Sequence, residues 1–201
     1  IIYVYDDFST DVPLLMGCLY VSVIKGGESY SFEYDRNWLK TTGLSLSLDP
    51  ELMPYAGRQY PSDKNIFGLF ADASPDRWGR VLMNKRERIL ADKEGRKPNK
   101  LYDSDYLLGV YDETRMGGIR FKLDPNGPFL SDDQETAAPP WATLRTLEEA
   151  SRHFESDESG LAEKWLNQLI KPGSSLGGAR PKATVIDTKD QLWIAKFPSK
   201  N

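Results

Sequence analysis

The sequence has one cysteine, Cys18, and one histidine, His153. A single thiol forms no internal disulfide, which excludes a disulfide-stapled secreted fold. One cysteine and one histidine cannot supply a Cys/His zinc cage either. Long hydrophobic runs are missing as well. The longest, Val12–Ile24, is broken by Pro13 and Ser22 and is too short to span a bilayer. The opening Ile1-Ile2-Tyr3-Val4-Tyr5-Asp6-Asp7 has no basic leader region, so no signal peptide is read there. There is no surplus of positive charge. Lys and Arg number 26 against 30 Asp and Glu, a net charge of −4, so no overall positive field draws in nucleic acid or an anionic membrane. Internal repeats are lacking, which excludes a solenoid. These absences point to a reducing, cytoplasmic setting. What remains is globular: 201 residues, 39% hydrophobic and 11% aromatic, enough to bury about 70% of the unfolded surface around a core.

The first third carries strand signals. Ile1 to Val4 is a short β-branched run, and Met16 to Ile24 holds the residues that strands prefer. Lys25-Gly26-Gly27-Glu28 supplies turn residues tolerant of positive φ, and Tyr30, Phe32 and Tyr34 then alternate on one face. Two strands joined at a Gly-Gly turn predict a hairpin. The stretch with Pro50, Pro54, Gly57 and Pro61 is too rich in breakers for a regular element.

The strongest helix signal is Ser74-Pro75-Asp76. Ser74 suits an N-cap, Pro75 the first helical position, and Asp76 the positive end of the dipole. Trp78, Val81, Leu82, Ile89 and Leu90 follow at near-helical spacing, with Gly95 and Pro98 as stops. Nine Lys or Arg fall between Arg77 and Lys100, which reads either as a solvated helix exterior or as a basic face for nucleic acid. No stacking aromatics alternate with these charges, which favours the exterior reading. A short helix over Ser104 to Tyr111 and a strand over Gly118 to Leu123 come next. Asp124 to Pro140, with five prolines or glycines, reads as a linker. Helices are expected from Leu144 to Phe154, where Thr143 or Thr146 serves as cap, and from Ser159 to Ile170. His153, the single histidine, offers a general base, but near a helix end it suits the negative end of the dipole and reads as structural.

The segment Pro172-Gly173-Ser174-Ser175-Leu176-Gly177-Gly178-Ala179-Arg180-Pro181-Lys182 is rich in glycine, which lets backbone N–H groups approach an anion closely. A Walker-type loop would open a helix. Here Ala183 to Ile186 predicts a strand, Thr188 to Gln191 a polar turn, and Leu192 to Phe197 a second strand. A glycine-rich loop, a strand, a turn and a lysine near the end of the next strand is the order seen in protein kinases, where loop and lysine contact ATP phosphates. Lys196, in Trp193-Ile194-Ala195-Lys196, fits that lysine. From pattern alone, Gly177-Gly178 also suits an ordinary bend and Lys196 an edge-strand lysine that discourages aggregation.

Ser175-Leu176-Gly177-Gly178-Ala179-Arg180-Pro181-Lys182, followed by Trp193-Ile194-Ala195-Lys196-Phe197-Pro198-Ser199, resembles the nucleotide-binding start of the HipA family of toxin serine/threonine kinases. Upstream, Phe32-Glu33-Tyr34-Asp35, Trp38-Leu39, Leu44 to Leu48, Phe70 to Arg80 and Leu107-Leu108-Gly109 resemble that family's N-terminal domain. The resemblance implies an α+β fold in three parts: a HipA-like N-terminal domain of sheet and helices at 1–125, a linker at 126–140, and the first β-hairpin of a kinase-like N-lobe within 141–201. It implies that Gly177, Gly178, Ala179, Arg180, Pro181 and Lys182 form the ATP phosphate loop and that Lys196 pairs with phosphate oxygens. Ser175 matches the serine that family members autophosphorylate. A phosphoserine there carries about −1.5 to −2 charge and competes for the same amides.

For the parent, the resemblance implies ATP and Mg2+ as cofactors and phosphoryl transfer to a Ser or Thr of a protein substrate, an aminoacyl-tRNA synthetase in the family. Growth arrest is the implied outcome and a HipB-like DNA-binding antitoxin the implied partner, with no direct nucleic-acid or membrane contact. The sequence departs from the family in one respect: it contains no His-Arg-Asp-like loop and no Asp-Phe-Gly to hold a catalytic Asp and the magnesium ligands. The chain is therefore expected to be the N-terminal portion of a kinase, itself without catalytic residues and inactive alone. The rival reading is a non-catalytic interaction module that contacts an antitoxin or a substrate.

Overall fold

The computed structural model describes residues 1–43, 47–62, 65–110, 112, 115–130, 144–155, 169 and 180–198. Helices and antiparallel sheets occur together, an α+β fold as expected. The residues group into two compact units that interleave in sequence. The first comprises Ile1–Ser74, Tyr102–Leu108 and Met116–Asp132, and the second Pro75–Leu101, Gly109–Arg115 and Asp133–Asn201.

The first unit is built on a five-stranded antiparallel sheet. Its strands are β1 (Ile2–Asp6), β2 (Leu14–Ile24), β3 (Gly27–Tyr34), β4 (Arg58–Gln59) and β5 (Ile119–Lys122), in the order β4-β3-β2-β1-β5. The β2–β3 hairpin turns where the glycines predicted it. Gly26 sits at φ 89°, a conformation most side chains resist, and Ile24 pairs with Gly27. Alternation then sorts the faces. Ile2, Val4, Leu19, Phe32, Ile119 and Phe121 all point inward and are buried. Gly17 marks the tightest crossing of the sheet, since a Cβ there would lie 2.3 Å from the Glu33 carbonyl and 2.6 Å from the Phe32 ring.

Helix α1 (Arg36–Trp38) continues into a π-helical turn, Leu39–Gly43. Asp35 caps α1 by accepting from the backbone N–H of Asn37 and Trp38. Trp38 then stacks on Tyr34, with ring centroids 5.1 Å apart. Helix α2 (Gly68–Asp72) brings Phe70 to 5.3 Å from Phe32, and Leu107 of α4 (Asp103–Leu108) completes this core.

Two expectations need correction here. The proline-rich stretch does hold a regular element, the short edge strand β4. Gln59 is buried and its amide bonds both ways with the Met53 backbone, at 2.8 Å each, so a side chain supplies the order that the local sequence lacks. Ser74, the expected cap of the long helix, instead finishes the preceding turn, its hydroxyl donating to the Phe70 carbonyl at 2.8 Å.

The second unit is organised around helix α3 (Arg77–Lys93), helix α5 (Leu144–Glu155) and the hairpin of β6 (Lys182–Ile186) and β7 (Leu192–Lys196). Asp76, not Ser74, is the N-cap of α3. The helix closes at Gly95, φ 65°, where Arg96 turns back onto Glu87. Trp78 and Leu82 of α3, Leu147 and Ala150 of α5, and Ala183, Val185 and Phe197 of the hairpin share one buried cluster with Leu169. The remainder of the Ser159–Ile170 helix, and most of the 126–140 linker, lie outside the described residues.

Candidate functional site

The β6–β7 hairpin is fixed at both ends. At its turn, the Asp187 carboxylate accepts from the N–H groups of Lys189 (2.8 Å) and Gln191 (2.9 Å) and from Trp193 Nε1 (2.9 Å). These bonds, led by that from Gln191, hold the Asp187 carboxyl below its ordinary value. Asp190 takes φ 59°, a left-handed position that Asp tolerates better than most residues. At the open end, the Phe197 N–H donates to the Pro181 carbonyl at 2.9 Å, closing the ladder just beyond Lys182 and Lys196.

Register then places the two lysines. Lys182 pairs with Lys196, Ala183 with Ala195 and Val185 with Trp193. Directly opposed residues share a face, so both ammonium-bearing side chains leave the same side of the open end. Arg180 lies two residues before Lys182 and is exposed, as is Lys196. Pro181 and Lys182 are buried. Like charges opposite one another repel, so this end needs a compensating anion.

The fold supplies one from α3. Asp76 Oδ2 lies 3.9 Å from Lys182 Nζ, while Asp76 Oδ1 accepts from the Trp78 N–H at 3.2 Å. One carboxylate thus caps the helix with one oxygen and faces the lysine with the other. Burial pushes the Asp76 carboxyl up, and Lys182 is the foremost group pulling against that rise. The Arg80 guanidinium, which also pulls the carboxyl down, is turned to the Pro75 carbonyl at 3.0 Å.

Among the described residues of the hairpin's open end, Arg180, Lys182 and Lys196 outnumber the Asp76 carboxylate, which suits an anion with several oxygens, such as a phosphate group. The same donor set does not suit a divalent cation, and among the described residues no group of three or more His, Cys, Asp or Glu is placed to hold one. Of the residues singled out in the sequence, Arg180, Pro181, Lys182 and Lys196 come together here. Gly177, Gly178, Ala179 and Ser175 lie outside the described residues. From sequence, Asp76 has only the role of a dipole partner. Its second role leaves no local signal, because its partner is far along the chain. His153 lies in the last turn of α5. No helix among the described residues is long and apolar enough to cross a membrane.

Residues 20–97 match the family model described as the HipA N-terminal domain. No curated protein and no solved structure matches the chain. The matched segment runs from within β2 to just beyond α3, and so includes Asp76.

Proposed function

We propose that this chain, whose residues 20–97 match the HipA N-terminal domain model, is the N-terminal portion of a HipA-like toxin serine/threonine kinase and contributes the ATP phosphate-binding hairpin. The observation that carries the reading is the pairing of Lys182 with Lys196 at the open end of β6–β7, next to a glycine-rich segment, in a chain that carries that domain. In this reading Gly177, Gly178 and Ala179 supply backbone N–H groups to phosphate oxygens. Arg180 and Lys182 supply positive charge beside them, and Pro181 fixes the entry into β6. Lys196 is the strand lysine that holds phosphate oxygens in place.

ATP, when bound, supplies the phosphoryl group. The residues of this chain bind and orient it and do not carry the transfer, which falls to a catalytic Asp and to magnesium ligands that the sequence does not contain. The acceptor is a Ser or Thr hydroxyl of a protein, an aminoacyl-tRNA synthetase by family resemblance, and the outcome is growth arrest. Ser175 is the autophosphorylation position. The partner is a HipB-like DNA-binding antitoxin, in the cytoplasm.

The test is a calorimetric titration of the protein with ATP, comparing wild type with Lys196→Ala. At least tenfold weaker binding is expected for the variant. Unchanged affinity refutes the assignment of Lys196 and, with it, the kinase-type hairpin.

A further inference from the structure

We propose that Asp76 is a positioning residue: its carboxylate keeps the Lys182 ammonium inside the fold as a cation, so that the N-terminus of α3 sets where this lysine stands. The starting fact is burial. The Lys182 side chain is only 4% exposed, and lysine is almost never buried to that degree without a compensating charge. Among the described residues, two charged groups are placed against it. On the partner strand the opposite residue is Lys196, whose like charge gives no compensation. From α3, Asp76 presents Oδ2 at 3.9 Å, and that oxygen is itself buried with no hydrogen bond of its own.

The division of work within one carboxylate follows from the geometry. Oδ1 is committed to the Trp78 N–H, which fixes the plane of the group. Oδ2 is then held toward Lys182 by the helix cap and not by the lysine. At 3.9 Å the contact is a charge pair longer than a hydrogen bond. Asp76 therefore compensates the ammonium without accepting one of its protons, and Lys182 keeps its donors for another acceptor. Without the carboxylate, an ammonium buried opposite Lys196 has no counter-charge from α3 and is expected to swing out to water, so that the cation leaves this place.

The statement about the pair stands on the contact alone. Its consequence for nucleotide binding rests on the function proposed above. The test is a double-mutant cycle on the protein with Asp76→Asn, Lys182→Met and the double variant, read by urea unfolding. Asn is chosen because it still caps a helix. Lys182→Met is expected to lower the folding constant of the wild type and to raise that of Asp76→Asn, where it removes an uncompensated buried charge. The two effects should differ by at least tenfold. Effects of the same sign and size in both backgrounds overturn the proposal. If Asp76→Asn does not fold, the double variant is expected to fold, and a double variant that stays unfolded overturns the proposal as well. A parallel ATP titration separates the two readings. Where wild type binds ATP, Asp76→Asn should bind at least tenfold more weakly, and unchanged binding overturns the positioning role. A wild type that binds no ATP overturns the proposed function, and the unfolding cycle then decides the role of Asp76.

Discussion

Removing the Asp6 carboxylate is expected to destabilise the first unit by about 3–5 kcal/mol at pH 7, and by much less in acid. Asp6 is fully buried at the end of β1. Its Oδ1 accepts from the N–H groups of Phe8 (3.0 Å) and Ser9 (2.9 Å), and its Oδ2 accepts from Trp38 Nε1 at 2.8 Å. In Asp6→Ala the Phe8 N–H regains water, because Phe8 is exposed and Ser9 is half-buried. The Trp38 indole cannot, since Trp38 is 1% exposed. An orphaned buried donor costs about 1–3 kcal/mol, and each lost bond to a charged acceptor about 1.5–3 kcal/mol, with the loop bonds partly recovered from water.

The pH dependence follows from the carboxyl itself. Burial alone would raise it, but the bonds from Ser9, Phe8 and Trp38 outweigh burial and hold it below its ordinary value. A carboxyl depressed in the folded state contributes stability that is fully present above its unfolded value, about 3.9, and is lost as pH falls through the folded value. Urea unfolding at pH 7 and at pH 2.5 measures the difference. Trp38 is the one tryptophan of the first unit, so a 19F-tryptophan resonance reports on this unit alone. The gap between wild type and Asp6→Ala should shrink on acidification. A gap that is constant from pH 7 to 2.5 would refute the claim that the ionised carboxylate is the stabilising species.

Two further substitutions test the sheet and the hairpin. Gly17→Ala forces a Cβ to 2.3 Å from the Glu33 carbonyl and 3.0 Å from Tyr34 Cα, backbone atoms that cannot rotate away. A loss of about 1–3 kcal/mol is expected, with weakened hydrogen-exchange protection along β2–β3. At Asp190, φ 59° makes Gly neutral or slightly stabilising, whereas Asp190→Val should lower stability by about 1–2 kcal/mol in a urea midpoint measurement.

The parts of the fold legible in the sequence are those specified by neighbours. The β2–β3 hairpin follows from Gly26 beside alternating aromatics. The β6–β7 hairpin follows from Asp187 to Gln191 between two apolar runs, and its register then brings Lys182 opposite Lys196. The parts that were not legible are specified across distance. Helix α2 has no side-chain cap of its own, and the Leu69 N–H is satisfied by Asp49 Oδ2 at 2.7 Å, twenty residues upstream. Strand β4 exists because Gln59 bonds to Met53. The cap of α3 moved from Ser74 to Asp76 because the Ser74 hydroxyl was already committed to the Phe70 carbonyl. In each case a polar side chain chose among partners that a local pattern does not rank.

The same reasoning bears on what the segment matched by the HipA N-terminal domain model contributes. Residues 20–97 are continuous in sequence but not in packing. They supply the end of β2, with β3, α1, β4 and α2, to the first unit and α3 to the second. Within the second unit, Trp78 and Leu82 are buried in the same cluster as Ala183, Val185 and Phe197. A helix in a protein draws most of its stability from the packing of its apolar face and not from intrinsic propensity, so α3 depends on that face being covered. The hairpin has the converse need, since a two-stranded ribbon is marginal by itself and requires a helix or further strands against one face. Each element therefore supplies what the other lacks, and Asp76 adds a charge contact to the apolar one. On this argument α3 is as much a part of the lysine-bearing hairpin's support as of the domain that its sequence matches, and substitutions in α3 should be read first for their effect on that hairpin.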